Sequence, residues 1–105
     1  MDIIKITGDN FQKEVIESEI PVLIDFWAPW CGPCQMQGPV MEDIAGEYDS
    51  VKVGKINVDE EQALAVRYGI TSIPTLMYFK DGKDVNTLVG LRSKEQIAES
   101  LGLVK

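Results

Sequence analysis

Cys31 and Cys34 are the only cysteines of the chain, and they stand three positions apart in Trp27-Ala28-Pro29-Trp30-Cys31-Gly32-Pro33-Cys34. Three residues is close to one helical turn, so two such side chains share a face and lie within bonding reach. As a structural staple the pair is poor, because closing so short a loop is worth only about 2 kcal/mol. As a zinc site it is half complete: four ligands are usual, and the chain has no histidine and no third cysteine. Only a zinc or iron–sulfur centre bridging two chains would rescue a metal reading. The chemistry that fits the pair is a reversible dithiol/disulfide. An apolar run, Val22-Leu23-Ile24-Asp25-Phe26-Trp27, leads into it, and an amphipathic pattern from Met36 to Tyr48 leads out. Cys31 is thereby placed at or just before a helix N-terminus, where a thiolate meets unpaired N–H groups and the positive end of the macrodipole.

The two sulfurs then divide the work. Cys31, exposed ahead of the helix, is the nucleophile, and Cys34, one turn in and more buried, is the resolving thiol. Cys31 attacks a substrate disulfide to give a mixed disulfide, and Cys34 attacks that bond, releasing a dithiol and leaving Cys31–Cys34 oxidised. Gly32 leaves room for a partner's backbone, and Pro33 suits a first helical turn, where no N–H partner exists. Asp25 is the odd residue: a carboxylate inside an apolar strand is desolvated, which raises its pKa. The ordinary explanation is a buried aspartate satisfied by hydrogen bonds.

Positioning falls to elements legible from period and punctuation. Ile3-Ile4-Lys5-Ile6 reads as a first strand, and Asp9 or Asn10 as the cap of a helix carrying Phe11 and Val15. Residues 22–27 form a strand covered on both faces. The following helix carries the stripe Met36, Val40, Met41, Ile44, Ala45 and Tyr48, with Pro39 interrupting but not ending it. Val51–Val58 is the next strand. Asp59 with Gln62 predicts a capping box for a helix bearing Leu64, Val66 and Tyr68, stopped at Gly69. Thr75–Phe79 and Asp84–Val89 flank Asp81-Gly82 as a hairpin, and Ser93 with Gln96 caps a last helix whose Ile97 and Leu101 point inward. The order β-α-β-α-β-α-β-β-α implies a mixed five-stranded sheet flanked by four helices.

A chain of 105 residues fits one domain, 1–105. The net charge of −7, with no Lys/Arg cluster, argues against nucleic acid as a partner. No apolar run approaches the roughly 20 residues of a membrane span. Met1-Asp2-Ile3-Ile4-Lys5 lacks the character of a signal peptide, and two cysteines without one favour a reducing, cytoplasmic setting.

The segment Trp27–Cys34 resembles the active-site signature of the thioredoxin family. Asn57-Val58-Asp59, Tyr68-Gly69-Ile70, Ile73-Pro74-Thr75 and the Asp81-Gly82 turn resemble that family's pattern in order, over essentially the whole chain. The resemblance implies the thioredoxin fold, with its strand order, and a general protein-disulfide reductant that uses no bound cofactor. Its implied partners are thioredoxin reductase and disulfide-containing proteins, met as a monomer. It assigns Asp25 the role of taking the proton from Cys34. It turns Lys55, a surface residue on sequence alone, inward to pair with Asp25. It makes the Ile73–Pro74 bond cis, where base rates favour trans. It gathers Trp30, Gly32, Pro33, Val58, Ile73, Pro74, Gly90 and Leu91 into an apolar docking surface, with Ile73 offering backbone groups to an extended substrate. Gln35 departs from the basic residue many relatives carry there, and Gln37-Gly38 is more polar and smaller than usual. A reading in another class is a non-enzymatic docking or chaperone subunit on the same fold.

Overall fold

A computed structural model describes residues 2–105; Met1, the first residue of the N-terminal stretch and of the expected domain, lies outside the described residues. The order is β1 (Ile4–Lys5), a π-type helix (Gln12–Ile16), β2 (Val22–Trp27), α1 (Gly32–Glu47), β3 (Lys52–Asn57), α2 (Gln62–Arg67), β4 (Thr75–Lys80), β5 (Lys83–Val89) and α3 (Lys94–Leu101). The strands lie in the order β1-β3-β2-β4-β5. β1 and β2 run parallel to β3, while β4 is antiparallel to both β2 and β5. The mixed five-stranded sheet with helices is the thioredoxin fold.

Strand β2 is the axis of the sheet, hydrogen-bonded on both sides. Its pleat sends Val22, Ile24 and Phe26 into a core with Phe11, Val15, Leu64 and Phe79, under the π-type helix and α2. Leu23 goes to the opposite core with Met41, Ile44 and Ile97, under α1 and α3. Asp25 and Trp27 share parity with Leu23, so the carboxylate faces the layer that holds Cys34. Helix α1 runs unbroken through Pro39.

Local signals succeeded where the chain closes its own turns. Ser93 accepts from the Gln96 amide (3.1 Å) and Gln96 Oε1 from the Ser93 amide (2.9 Å), a complete capping box. Asp81 and Gly82, with φ of 52° and 79°, form the primed turn that an antiparallel hairpin favours.

Four expectations are not met. Asn10 does not cap the first helix: its Oδ1 accepts from Thr7 N–H (2.8 Å) and its Nδ2 donates to the Lys5 carbonyl (2.9 Å). The Asp59/Gln62 box does not form either. Asn57 Oδ1 takes the Asp59 amide (2.9 Å), and the residue ahead of α2, Glu61, turns its carboxylate to Gly8 N–H (2.8 Å). Met36 points outward at 62% exposure while Gln37 is fully buried, so the apolar stripe of α1 is one residue out of phase at its start. Val66 is also exposed.

Candidate redox site

Cys31 is the residue that opens α1. Its backbone is extended (φ −90°, ψ 115°), and its sulfur accepts a hydrogen bond from the Cys34 amide at 3.2 Å. A capping position normally takes an oxygen side chain to satisfy the first free N–H groups; here a sulfur does so. Pro33 occupies the first turn, where its missing N–H costs nothing. Cys31 and Cys34 form a disulfide, their Cα atoms 5.2 Å apart. The expected contrast in exposure between them is slight: Cys31 is 6% exposed and Cys34 4%. Covering of Cys31 comes from across the chain, where the Ile73 carbonyl approaches its sulfur to 3.8 Å. The disulfide sulfur carries no proton, so this is a contact and not a hydrogen bond. The Ile73–Pro74 peptide is cis, as the resemblance implied.

Asp25 is 4% exposed, and its Oδ1 has no hydrogen-bond partner among the described residues. The ordinary explanation, a buried aspartate satisfied by hydrogen bonds, thus fails for that oxygen. Burial pushes its pKa from 3.8 up to about 7, against a weaker opposing pull from the Lys55 ammonium. Asp25 and Cys34 line one cleft of about 260 Å³, with Trp27, Gln35, Glu42 and Lys55 among its other walls. The expected Asp25–Lys55 pairing is present as a field and not as a contact. Lys55 is the direct cross-strand neighbour of Asp25, but its ammonium sits 5.0 Å over the Trp27 ring. Cation–π attraction and continued solvent exposure hold it there.

Around the disulfide, Trp30 is 71% exposed with its Nε1 donating to Asp59 Oδ2 (2.9 Å), and Gly32, Pro33 and Leu91 are exposed. Val58, Ile73 and Gly90 are half-buried. Pro74 is buried; its carbonyl takes the Gly90 amide at 2.8 Å. Gln35 reaches back to the Pro29 carbonyl (3.0 Å), bracing the loop ahead of Cys31. Sequence reasoning missed Glu42 as a wall of the Asp25 cleft and the Trp27 ring as the seat of Lys55. Spacing gave one usable hint: Glu42 lies two helical turns beyond Gln35 on α1.

A disulfide closed across the first turn of a helix, beside a buried carboxylic acid on the central strand, defines a thiol–disulfide oxidoreductase. The family profile described as Thioredoxin matches residues 2–102. Thioredoxin 1 of Synechococcus elongatus is 57% identical over 97 residues, covering 91% of each chain. Thioredoxin of Rickettsia felis is 47% identical over 95 residues, covering 90% of each. The chloroplastic M-type thioredoxin of Chlamydomonas reinhardtii is 50% identical over 97 residues, 91% of this chain and 69% of that protein. The chain belongs to the thioredoxin family. It is a protein-disulfide reductant whose redox group is its own Cys31–Cys34 pair, in a family that uses no cofactor. Among the described residues no helix is long and apolar enough to cross a membrane.

Proposed function

We propose that Cys31 is the attacking thiolate and Cys34 the resolving thiol. The observation that carries this is the Cys34 N–H pointing at the Cys31 sulfur from the helix start. A donor so placed stabilises negative charge on sulfur 31 and none on sulfur 34. Cys31 attacks one sulfur of the substrate disulfide; a mixed disulfide forms and the other substrate sulfur leaves as a thiolate that takes a proton. Cys34 gives its proton to Asp25 across their shared cleft, which is large enough to hold water. Cys34 then attacks Cys31, the second substrate sulfur leaves, and two electrons have passed to the substrate. Lys55 tunes Asp25 from its seat on Trp27.

Protein substrates dock on Trp30, Gly32, Pro33, Val58, Ile73, Gly90 and Leu91, with Pro74 holding Ile73 and Gly90 in place from below. The apolar exposure of Trp30 and Leu91 beside the disulfide supports this reading. The chain works as one domain and as a monomer in the cytoplasm, and a thioredoxin reductase restores the dithiol. Cys31→Ser tests the central assignment: insulin reduction is abolished, while Cys34→Ser accumulates the mixed disulfide. Retained reduction by Cys31→Ser would overturn it.

A further inference from the structure

Gln37 lies one turn beyond Cys34 on α1 and is fully buried. Its Oε1 accepts from the Arg92 amide at 2.9 Å, and its Nε2 donates to the Arg92 carbonyl at 3.0 Å, with Met41 Sδ a further 3.6 Å neighbour. One carboxamide thus pairs with both backbone groups of a single residue 55 positions away. Residues 90–93 join β5 to α3 without regular structure, so their backbone groups find partners elsewhere. Gly90 N–H goes to the Pro74 carbonyl (2.8 Å), Arg92 to Gln37, and Ser93 N–H to Gln96 Oε1 (2.9 Å). The first two anchors are parts of the redox site, since Pro74 follows the Ile73 that touches Cys31 and Gln37 shares a helix with Cys34. Between them stands Leu91, held out at 41% exposure.

A desolvated amide satisfied at both ends specifies one register more sharply than an apolar residue of equal volume. We infer that Gln37 is a positioning residue for protein-disulfide substrates, its carboxamide locking the Gly90–Arg92 loop, and with it Leu91, to the helix that carries Cys34. The loop then meets a substrate already ordered, and binding does not have to supply that ordering. This rests on the proposal that Gly90 and Leu91 contact substrate.

The test is steady-state insulin reduction, with dithiothreitol regenerating the dithiol, by the full chain and its Gln37→Met variant, which fills the same space without the two bonds. The KM for insulin rises about fivefold, the equivalent of one hydrogen bond, with kcat changed less than twofold and the Cys31 thiolate absorbance titrating as in the parent. Leu91→Ser raises KM in the parent chain and adds little in Gln37→Met, because the two act through one loop. An unchanged KM with only a lowered Tm overturns the inference, and so does a kcat loss accompanied by an altered thiolate titration. If Gln37→Met does not fold, amide exchange in the parent decides: a locked Arg92 N–H is protected about a hundredfold over a free loop amide, and an unprotected one sinks the proposal. Failure of the underlying reading is distinct, for then Leu91→Ser would leave the KM of the parent chain unchanged, whatever Gln37→Met does.

Discussion

Asp25 and Lys55 are direct neighbours across the parallel β2–β3 ladder, yet the Lys55 ammonium rests 5.0 Å over the Trp27 ring and forms no ion pair with the carboxylate. The acid is buried, with one oxygen given no partner by the described residues, facing the cleft it shares with Cys34. Its properties follow from what the lysine does not do. A closed ion pair would hold a carboxylate ionised throughout the physiological range; a distant ammonium only moderates the effect of burial.

Stability of the disulfide form declines as pH rises from about 4 to about 7. The Asp25 pKa is 3.8 when free and about 7 in the fold, so across that window the native state binds a proton that the unfolded chain has lost. The penalty is fully developed above pH 7 and absent below pH 4. Asp25→Asn removes it, raising stability at pH 8 by on the order of 4 kcal/mol and flattening the decline. Urea unfolding of both chains between pH 4 and pH 8 measures this; parallel pH curves would refute it.

Asp25→Asn slows resolution more than attack. Without the Asp25 carboxylate, Cys34 must lose its proton by a slower route, and the second step falls about tenfold or more. Rapid acid quench follows the mixed disulfide directly. Equal slowing of both steps would remove Asp25 from the proton path.

Lys55→Met raises the Asp25 pKa above its present value of about 7, because the ammonium is what opposes burial there. The pH dependence of resolution moves to higher pH with it. Carbon-detected NMR titration of the Asp25 carboxyl in the disulfide form reads the shift; an unmoved or lowered midpoint contradicts the through-space coupling.

Gly82→Ala destabilises the fold by about 2 kcal/mol or more. A Cβ there lies 2.8 Å from the Ile16 carbonyl oxygen, and φ of 79° is strained for any residue with a side chain. Thermal unfolding tests it, with Gly46→Ala as the control: a Cβ at that helical position meets nothing within 4 Å.

Features that the chain encodes within a few consecutive residues were legible before any coordinates. The Cys31–Cys34 spacing, the apolar 22–27 strand, the Asp81-Gly82 turn and the Ser93/Gln96 cap depend on one turn of helix, one strand's pleat or a two-residue loop. The setting of Asp25 was half legible: a carboxylate in an apolar run announces burial, but not that one oxygen would find no partner among the described residues.

Contacts between segments far apart in the chain decided the rest. Gln37 puts a polar group on the inner side of α1, and only a loop 55 positions on supplies two backbone partners for its amide. Lys55 has inward parity but a four-carbon stem, and only the neighbouring strand's Trp27 determines where its charge comes to rest. The Asp59/Gln62 pattern is a sound capping signal, overruled because the Asp59 carboxylate accepts from Trp30 Nε1, 29 positions away, and Glu61 is drawn to Gly8. Sequence alone determines what a backbone can satisfy locally. Which polar groups meet across the fold, and which are left dry, is set by packing that no short window contains.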